Sequence, residues 1–410
     1  MSSRRAFTIL WLGQFAATGG LTVFVPLLPF YLAELGTPTG EIPWWTAVTL
    51  AAPAVAQLLT GPLWGWIGDR YGRKAMVVRA QAGLAVAVAL MCLAGTPVQF
   101  LLCRILQGAC GGVVSATAAF ASSLSAPERR GSALGSLFGA TAAGSLAGPL
   151  LGSLLAGRFG FTALLTVVSL LLGASALLTL VLLREPQHRR SISDRAPSLA
   201  KSLPVLLRGR TGYYLLAGLA AQAGVYALVV VFAPQVARTS GSVAEATLWV
   251  GALQATTWAA SLVGGPWWGR RNDRALARRS FVAAVVGCGL AVALQAVPAD
   301  PALLLPLRLA QGFCFAAVVP SVLQMVCLAA PERMRGACIG VATSVLELGQ
   351  VVGPPLGAAA ALLFPPAGAF AAIAVLFALS AAAVVLSPAP AREPLPDLPV
   401  PDLAKAGAPR

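Results

Sequence analysis

The chain has 410 residues, 58% of them hydrophobic and 10% charged, with a mean hydropathy of +0.80. A water-soluble globule does not carry that balance, since charged residues normally supply about a quarter of such chains, and the composition places this one in a bilayer. The formal net charge of +15 invites a nucleic-acid reading, which the placement of the basic residues rules against.

Taken in chain order, apolar runs fall near 7–33, 43–67, 75–95, 98–122, 132–157, 160–183, 212–236, 244–268, 280–297, 302–328, 336–362 and 367–387. Each approaches or exceeds the roughly 20 residues that cross about 30 Å of hydrocarbon as a helix. The runs are long, continuous and rich in Ala, Leu and Gly rather than short and alternating, so they predict helices and not barrel strands. The first follows Ser2, Ser3, Arg4 and Arg5, which imitates the start of a signal peptide. Its length and its Pro26 and Pro29 favour a retained first span.

The loops between the runs decide orientation. Of the 29 basic residues, 24 fall in segments on the side that holds both termini, whereas only Arg158 and Arg238 fall on the other. Arg79, Arg104 and Arg308 lie within or at the edge of spans. This is the positive-inside bias, so both termini are expected in the cytoplasm and no nucleic-acid partner is expected. The seven cysteines sit in or at the edge of spans, form no CxxC pair and read as packing residues, and the one histidine, His188, lies in a basic loop. Nothing supplies metal-ligand spacing or a catalytic set, so no catalytic residue, no metal and no cofactor is expected. The absence of a GxxxxGK[ST] segment argues against ATP as the energy source.

The sequence also repeats itself. Gly61, Pro62, Trp64, Gly65, Asp69 and Arg70 recur 204 residues later in Gly265 to Arg274; Arg104, Gln107 and Gly108 recur as Arg308, Gln311 and Gly312; Pro127, Glu128 and Arg129 recur as Pro331, Glu332 and Arg333. After one inserted residue, Gly144, Gly148, Pro149 and Gly152 match Gly349, Gly353, Pro354 and Gly357. The expected domains are therefore a six-helix bundle over 1–183, a cytoplasmic linker over 184–211, a second six-helix bundle over 212–387 and a disordered cytoplasmic tail over 388–410. Within the linker, Leu199 to Leu207 either lies on the membrane surface or is simply solvated. Parallel six-span repeats are how secondary transporters build a central site exposed alternately to each side.

GPLWGWIGDRYGRK, Gly61 to Lys74, resembles the signature loop between the second and third spans of the major facilitator superfamily. The resemblance implies an all-α membrane fold of 12 transmembrane helices in two pseudo-symmetric six-helix bundles. It also implies that Asp69 works against the eleventh span as a latch, with Gly61, Gly65, Arg70, Gly72 and Arg73 as further gating residues. Gly65 is expected to let the second span approach a neighbour closely. The second copy lacks the glycine before its aspartate. LLCRILQGACGG, Leu101 to Gly112, resembles the fourth-span motif whose arginine, here Arg104, is associated with proton movement; a snorkelling Arg104 is the plainer alternative.

GATAAGSLAGPLLGSLLAG, Gly139 to Gly157, resembles the fifth-span motif of the drug:proton antiporter branch, with Gly144, Gly148, Pro149 and Gly152 as gating elements; generic small-residue packing is the alternative. Many such antiporters carry a first-span carboxylate, where this chain has Gln14 and Thr18. The only carboxylate deep in a span is Glu347, read either as the proton carrier or as a residue that orders a helix interface.

The resulting expectation is a secondary transporter of the bacterial inner membrane, acting as a monomer, that exports small amphipathic molecules such as drugs in exchange for protons. A dedicated exporter of one endogenous metabolite such as a siderophore is the alternative, and a nutrient:proton symporter a more distant one. The cavity is placed where spans one, four, seven and ten meet, lined by Gln14, Phe24, Gln107, Gln222, Tyr226, Gln311 and Phe315.

Overall fold

The computed structural model describes residues 3–124, 130–183, 209–272, 274, 277–329 and 335–388, without the side chains of 3–6, 69, 122–123, 130–135, 138 and 335–337. The expected linker, apart from 209–211, and all but the first residue of the expected tail lie outside these residues. Among the described residues every regular element is helical, as a chain surrounded by lipid requires, since each backbone N–H and C=O must be satisfied within its own segment.

In the first half the helices are α1 (Ser3–Thr22), α2 (Leu28–Glu34), α3 (Ile42–Tyr71), α4 (Arg73–Met91), α5 (Pro97–Ala109), α6 (Val113–Leu124) and α7 (Arg130–Leu182). The second half has α8 (Gly209–Thr239), α9 (Val243–Arg271), α10 (Ala277–Leu294), α11 (Leu304–Phe315), α12 (Val318–Ala329), α13 (Arg335–Glu347), α14 (Gly349–Leu363) and α15 (Pro366–Val385). Several spans are broken. A 3-10 turn at Val25–Leu27, carrying Pro26, separates α1 from α2, and the fourth, tenth and eleventh spans each divide into two helices.

Among the described residues, ten helical stretches are long and apolar enough to cross a membrane. One of them covers the 44 residues Gly139–Leu182 and holds two spans, because Gly160 turns the chain at φ +81°, a left-handed conformation that glycine adopts without steric cost. The 29-residue α9 falls outside the ten but packs beside α7, α8 and α11 as the eighth span. Gln254, Thr256, Thr257 and Ser261 interrupt it, and Arg270 and Arg271 end it. Counted this way, the twelve expected spans are present.

The repeat in the sequence is a repeat in space. Gly144, Gly148 and Gly152 of α7 form a groove that receives the first span, with Gly144 against Phe15 O and Gly148 against Gly19 O. In the second half Gly349, Gly353 and Gly357 receive α8 in the same way, at Gln222, Ala223 and Ala227. A Cβ at Gly148 or Gly353 would lie 2.6 or 2.4 Å from a backbone oxygen, so only glycine permits these helices to cross so closely.

Among the described residues, the close glycine contacts between the halves lie at one end of the bundle. At the end away from the chain termini, Gly251 of α9 sits against Pro149 O and Ser153 of α7, and Gly157 faces Ala244 and Leu248. Ala47 of α3, Val230 of α8 and Ala358 of α14 form a small shared core there. At the terminal end, Gly61 and Gly65 of α3, Gly265 and Gly269 of α9 and Gly340 of α13 all face open space. The expectation that Gly65 touches a neighbouring helix is therefore corrected: with the halves apart at this end, a Cβ on Gly65 would meet nothing within 4 Å.

Candidate functional site

The signature loop is built around Gly72, which at φ +96° donates its N–H to Gly68 O, closes α3 and lets the chain turn directly into α4. Arg73 then donates to Ala119 O of α6 at 3.0 Å, and Lys74 to Leu180 O of α7 at 2.8 Å. Arg70 is exposed and lies 6.0 Å from the Tyr71 ring. Asp69 is in the last turn of α3, and its side chain lies outside the described residues.

Two buried arginines mark matching positions in the halves. Arg104 of α5 donates through Nε to Thr49 O of α3 at 3.0 Å and through Nη1 to Gln107 Oε1. Arg308 of α11 donates through Nε to Leu253 O of α9 at 3.4 Å, through Nη1 to Gln311 Oε1 at 3.0 Å and through Nη2 to Gln254 Oε1. Each arginine is followed by a glycine pressed onto the facing helix, Gly108 on Pro53 and Gly312 on Thr257, a packing that fixes where the guanidinium stands. Both are inward-facing and buried rather than snorkelling to the surface, at 4% and 3% exposure. Among the described residues neither pairs with a carboxylate.

A pocket opens beside Arg308. It is lined from the first-span break by Pro26, from α8 by Val225, Leu228, Val229 and Phe232, from α9 by Gln254, Thr257, Trp258 and Ser261, and from α11 by Arg308, Gln311 and Phe315. The Arg308 guanidinium stands over the Phe232 ring, with Cζ 4.1 Å from its centroid.

Of the lining residues expected from sequence, Gln311 and Phe315 reach this pocket and the others do not. Gln14 is buried and donates to Thr141 Oγ1 at 2.9 Å, which ties the first span to the fifth. Phe24 is core, and Gln107 is occupied by Arg104. Gln222 and Tyr226 lie where α8 crosses α13 and α14, against Gly349 and Gly353. Sequence reasoning missed Gln254, Trp258 and Phe232; the available signal was the polar interruption of the eighth run by Gln254 and Thr257. Glu347 ends α13 at the break before Leu348, is exposed, and is near enough to Tyr226 to interact with it electrostatically.

Comparison with known proteins agrees with this geometry. The sequence profile of the Major Facilitator Superfamily matches residues 10–242 and again 214–408, one match for each half. The chain is 36% identical over 390 residues to a staphyloferrin B transporter of Staphylococcus aureus, covering 94% of this chain and 93% of that protein. It is 27% identical over 367 residues to the multidrug resistance protein MdtG of Enterobacter lignolyticus, covering 87% and 85%.

Among solved structures, a bacterial homologue of the human lysosomal transporter Spinster, inward-facing and occupied, aligns with a TM-score of 0.74 at 17% identity, covering 95% of this chain and 100% of that one. The nucleoside transporter NupG aligns with a TM-score of 0.74 at 13% identity, covering 94% and 97%. With both halves matched by the family profile and relatives similar along nearly the whole length, the chain belongs to the Major Facilitator Superfamily: it is a multi-pass membrane transporter and not an enzyme.

Proposed function

We propose that the protein exports small amphipathic molecules from the cytoplasm in exchange for protons, by alternating access. The observation that carries this reading is the fifth-span groove with its proline. One face of α7 receives the first span at Gly144, Gly148 and Gly152, while Pro149 O and Ser153 on the other face meet Gly251 of the opposite half. A helix held on one side within its own half and on the other by the partner half is placed to close one end of the pathway. With both termini in the cytoplasm of a bacterial inner membrane, the closed end is extracytoplasmic and the open end cytoplasmic. The pocket beside Arg308 would then load from inside. Arg104 and Glu347 are the candidates for proton coupling, and Asp69 with Gly61, Gly65, Gly72, Arg70 and Arg73 for the latch that closes the cytoplasmic end.

The relatives bear on the substrate in two ways. MdtG is named for multidrug resistance and supports broad drug export. The relative with 36% identity is named for one compound, which favours a second reading, export of a single endogenous metabolite such as a siderophore. Transport into inverted vesicles and retention in whole cells, with and without a proton gradient, across dyes, antibiotics and siderophores, tests both. Gradient-dependent uptake into inverted vesicles is expected. Uptake that ignores the gradient, or that runs only into whole cells, would remove the exchange reading.

A further inference from the structure

The polar groups that line the pocket are donors almost without exception. A guanidinium carries five N–H groups, and Arg308 commits three, to Leu253 O, Gln311 Oε1 and Gln254 Oε1. Two remain. Gln311 Oε1 also accepts from Gln295 Nε2 at 2.9 Å, which fixes the amide with its oxygen toward the arginine and its NH2 away from it. Gln254 is turned the same way by Arg308. Among the described residues neither amide NH2 has a protein partner, nor does Trp258 Nε1.

The hydroxyls of Thr257 and Ser261 give their hydrogens to main-chain oxygens, so among the described lining side chains the acceptor capacity left is their lone pairs and one lone pair of Gln254 Oε1. Among the described residues no carboxylate lines the pocket. A buried cation inside a membrane protein is costly unless it is paired or hydrated, and here its protein partners are all neutral. The rest of the wall is apolar, with Phe232 beneath the guanidinium and Phe315 beside it.

We infer that the pocket takes an organic anion. A carboxylate accepts from the two free N–H groups of Arg308, while an apolar or aromatic body rests on Phe232 and Phe315. An acceptor-only anion fits a donor-lined site, whereas an ammonium would face a guanidinium with almost no acceptor to receive it. This rests on the reading of the pocket as the exporter's substrate site. It narrows that reading from amphipathic molecules in general to acidic ones, and it makes Arg308 a substrate-binding residue.

The test is calorimetric titration of the purified protein with three probes of one shape at neutral pH: 2-naphthoate, 2-naphthamide and 2-naphthylmethylammonium. Naphthoate is expected to bind at least about tenfold more tightly than either of the others, as charge-assisted bonds to one guanidinium allow. Arg308→Gln should weaken naphthoate binding by about tenfold or more and leave naphthamide within about twofold. Gln254→Glu keeps the guanidinium buried and supplies it with a carboxylate, so it should abolish the preference by itself.

Equal binding of acid and amide, tighter binding of the ammonium, no saturable naphthoate binding, or an unchanged preference in Gln254→Glu would each overturn the inference. Selective naphthoate binding without any gradient-driven transport would sink the export reading and leave this assignment standing. Gradient-driven export of dyes with no anion preference would do the reverse.

Discussion

The two halves share one framework and differ in what is mounted on it. Each holds an arginine whose Nε bonds a carbonyl of the facing helix and whose Nη1 bonds a glutamine one turn on. Each has a tryptophan donating to the carbonyl just after that motif, Trp64 to Ala109 O and Trp268 to Phe313 O. Around Arg308 stand Gln254, Phe232, Trp258 and Phe315; the positions 204 residues earlier hold Leu50, Leu28, Ala54 and Gly111. The anchor, which positions a helix pair, is common to both halves, and the described polar and aromatic pocket lies beside the second-half copy.

The first half has its own specialisation. Arg79 lies 3.7 Å above the Trp64 ring and donates to Cys110 O and Gly111 O, capping the broken fourth span, where the second half has Ala283. Orphan carbonyls at a helix end inside a membrane need such donors.

If the framework is shared, breaking it should be equally damaging in both halves. Gly108→Leu and Gly312→Leu each drive a side chain into backbone, with Cβ only 2.1 Å from Pro53 O or Thr257 O. Overpacking of this kind costs at least the usual 1–3 kcal/mol or so. Both variants should lose much of their folded yield, with melting temperatures lowered by similar amounts. Collapse of one without the other would break the equivalence.

If the pocket belongs to the second half, truncating its aromatics should be selective. Trp258→Ala and Phe315→Ala are expected to raise KM for transported substrate by about tenfold, as loss of a buried aromatic contact of roughly 1–2 kcal/mol would. Leu50→Ala, at the matching position of Gln254, should change KM by less than about threefold, as expected where no substrate contact is lost. A larger effect from Leu50→Ala would move the site toward the first half.

The framework and its decoration were not equally legible in the sequence. Arg104, Gln107, Arg308 and Gln311 stood out because charge and amides inside apolar runs are rare, and their recurrence at one offset tied them together. The glycine grooves were legible for a similar reason, since regular spacing of small residues has a direct packing meaning. What faces the pocket was not. A helix apolar all round gives no phase, so nothing in Val225 to Phe232 told the pocket face from the lipid face. Phe24, Gln222 and Tyr226 were plausible by residue type, yet Phe24 is core and Gln222 and Tyr226 lie where one helix crosses another. Gly65 faces open space here, a position that spacing alone could not assign.

The smallest effects are expected at the termini-side caps. Lys74→Gln and Arg278→Gln remove donors to Leu180 O and to Val384 O and Val385 O at matching positions. Each should lower stability by no more than about 1 kcal/mol, measured as a small and similar shift of the melting temperature.

We propose Glu347, whose matching first-half residues are Ala142 and Ala143, as the proton-coupling group of a second half that also supplies most of the pocket wall. Glu347→Gln keeps size and hydrogen bonding and removes titration, so proton-gradient-driven uptake into inverted vesicles tests the claim directly. The variant is expected to lose accumulation against a gradient while retaining downhill substrate exchange. Accumulation at the wild-type rate and with the wild-type pH dependence would contradict it and turn attention to Arg104.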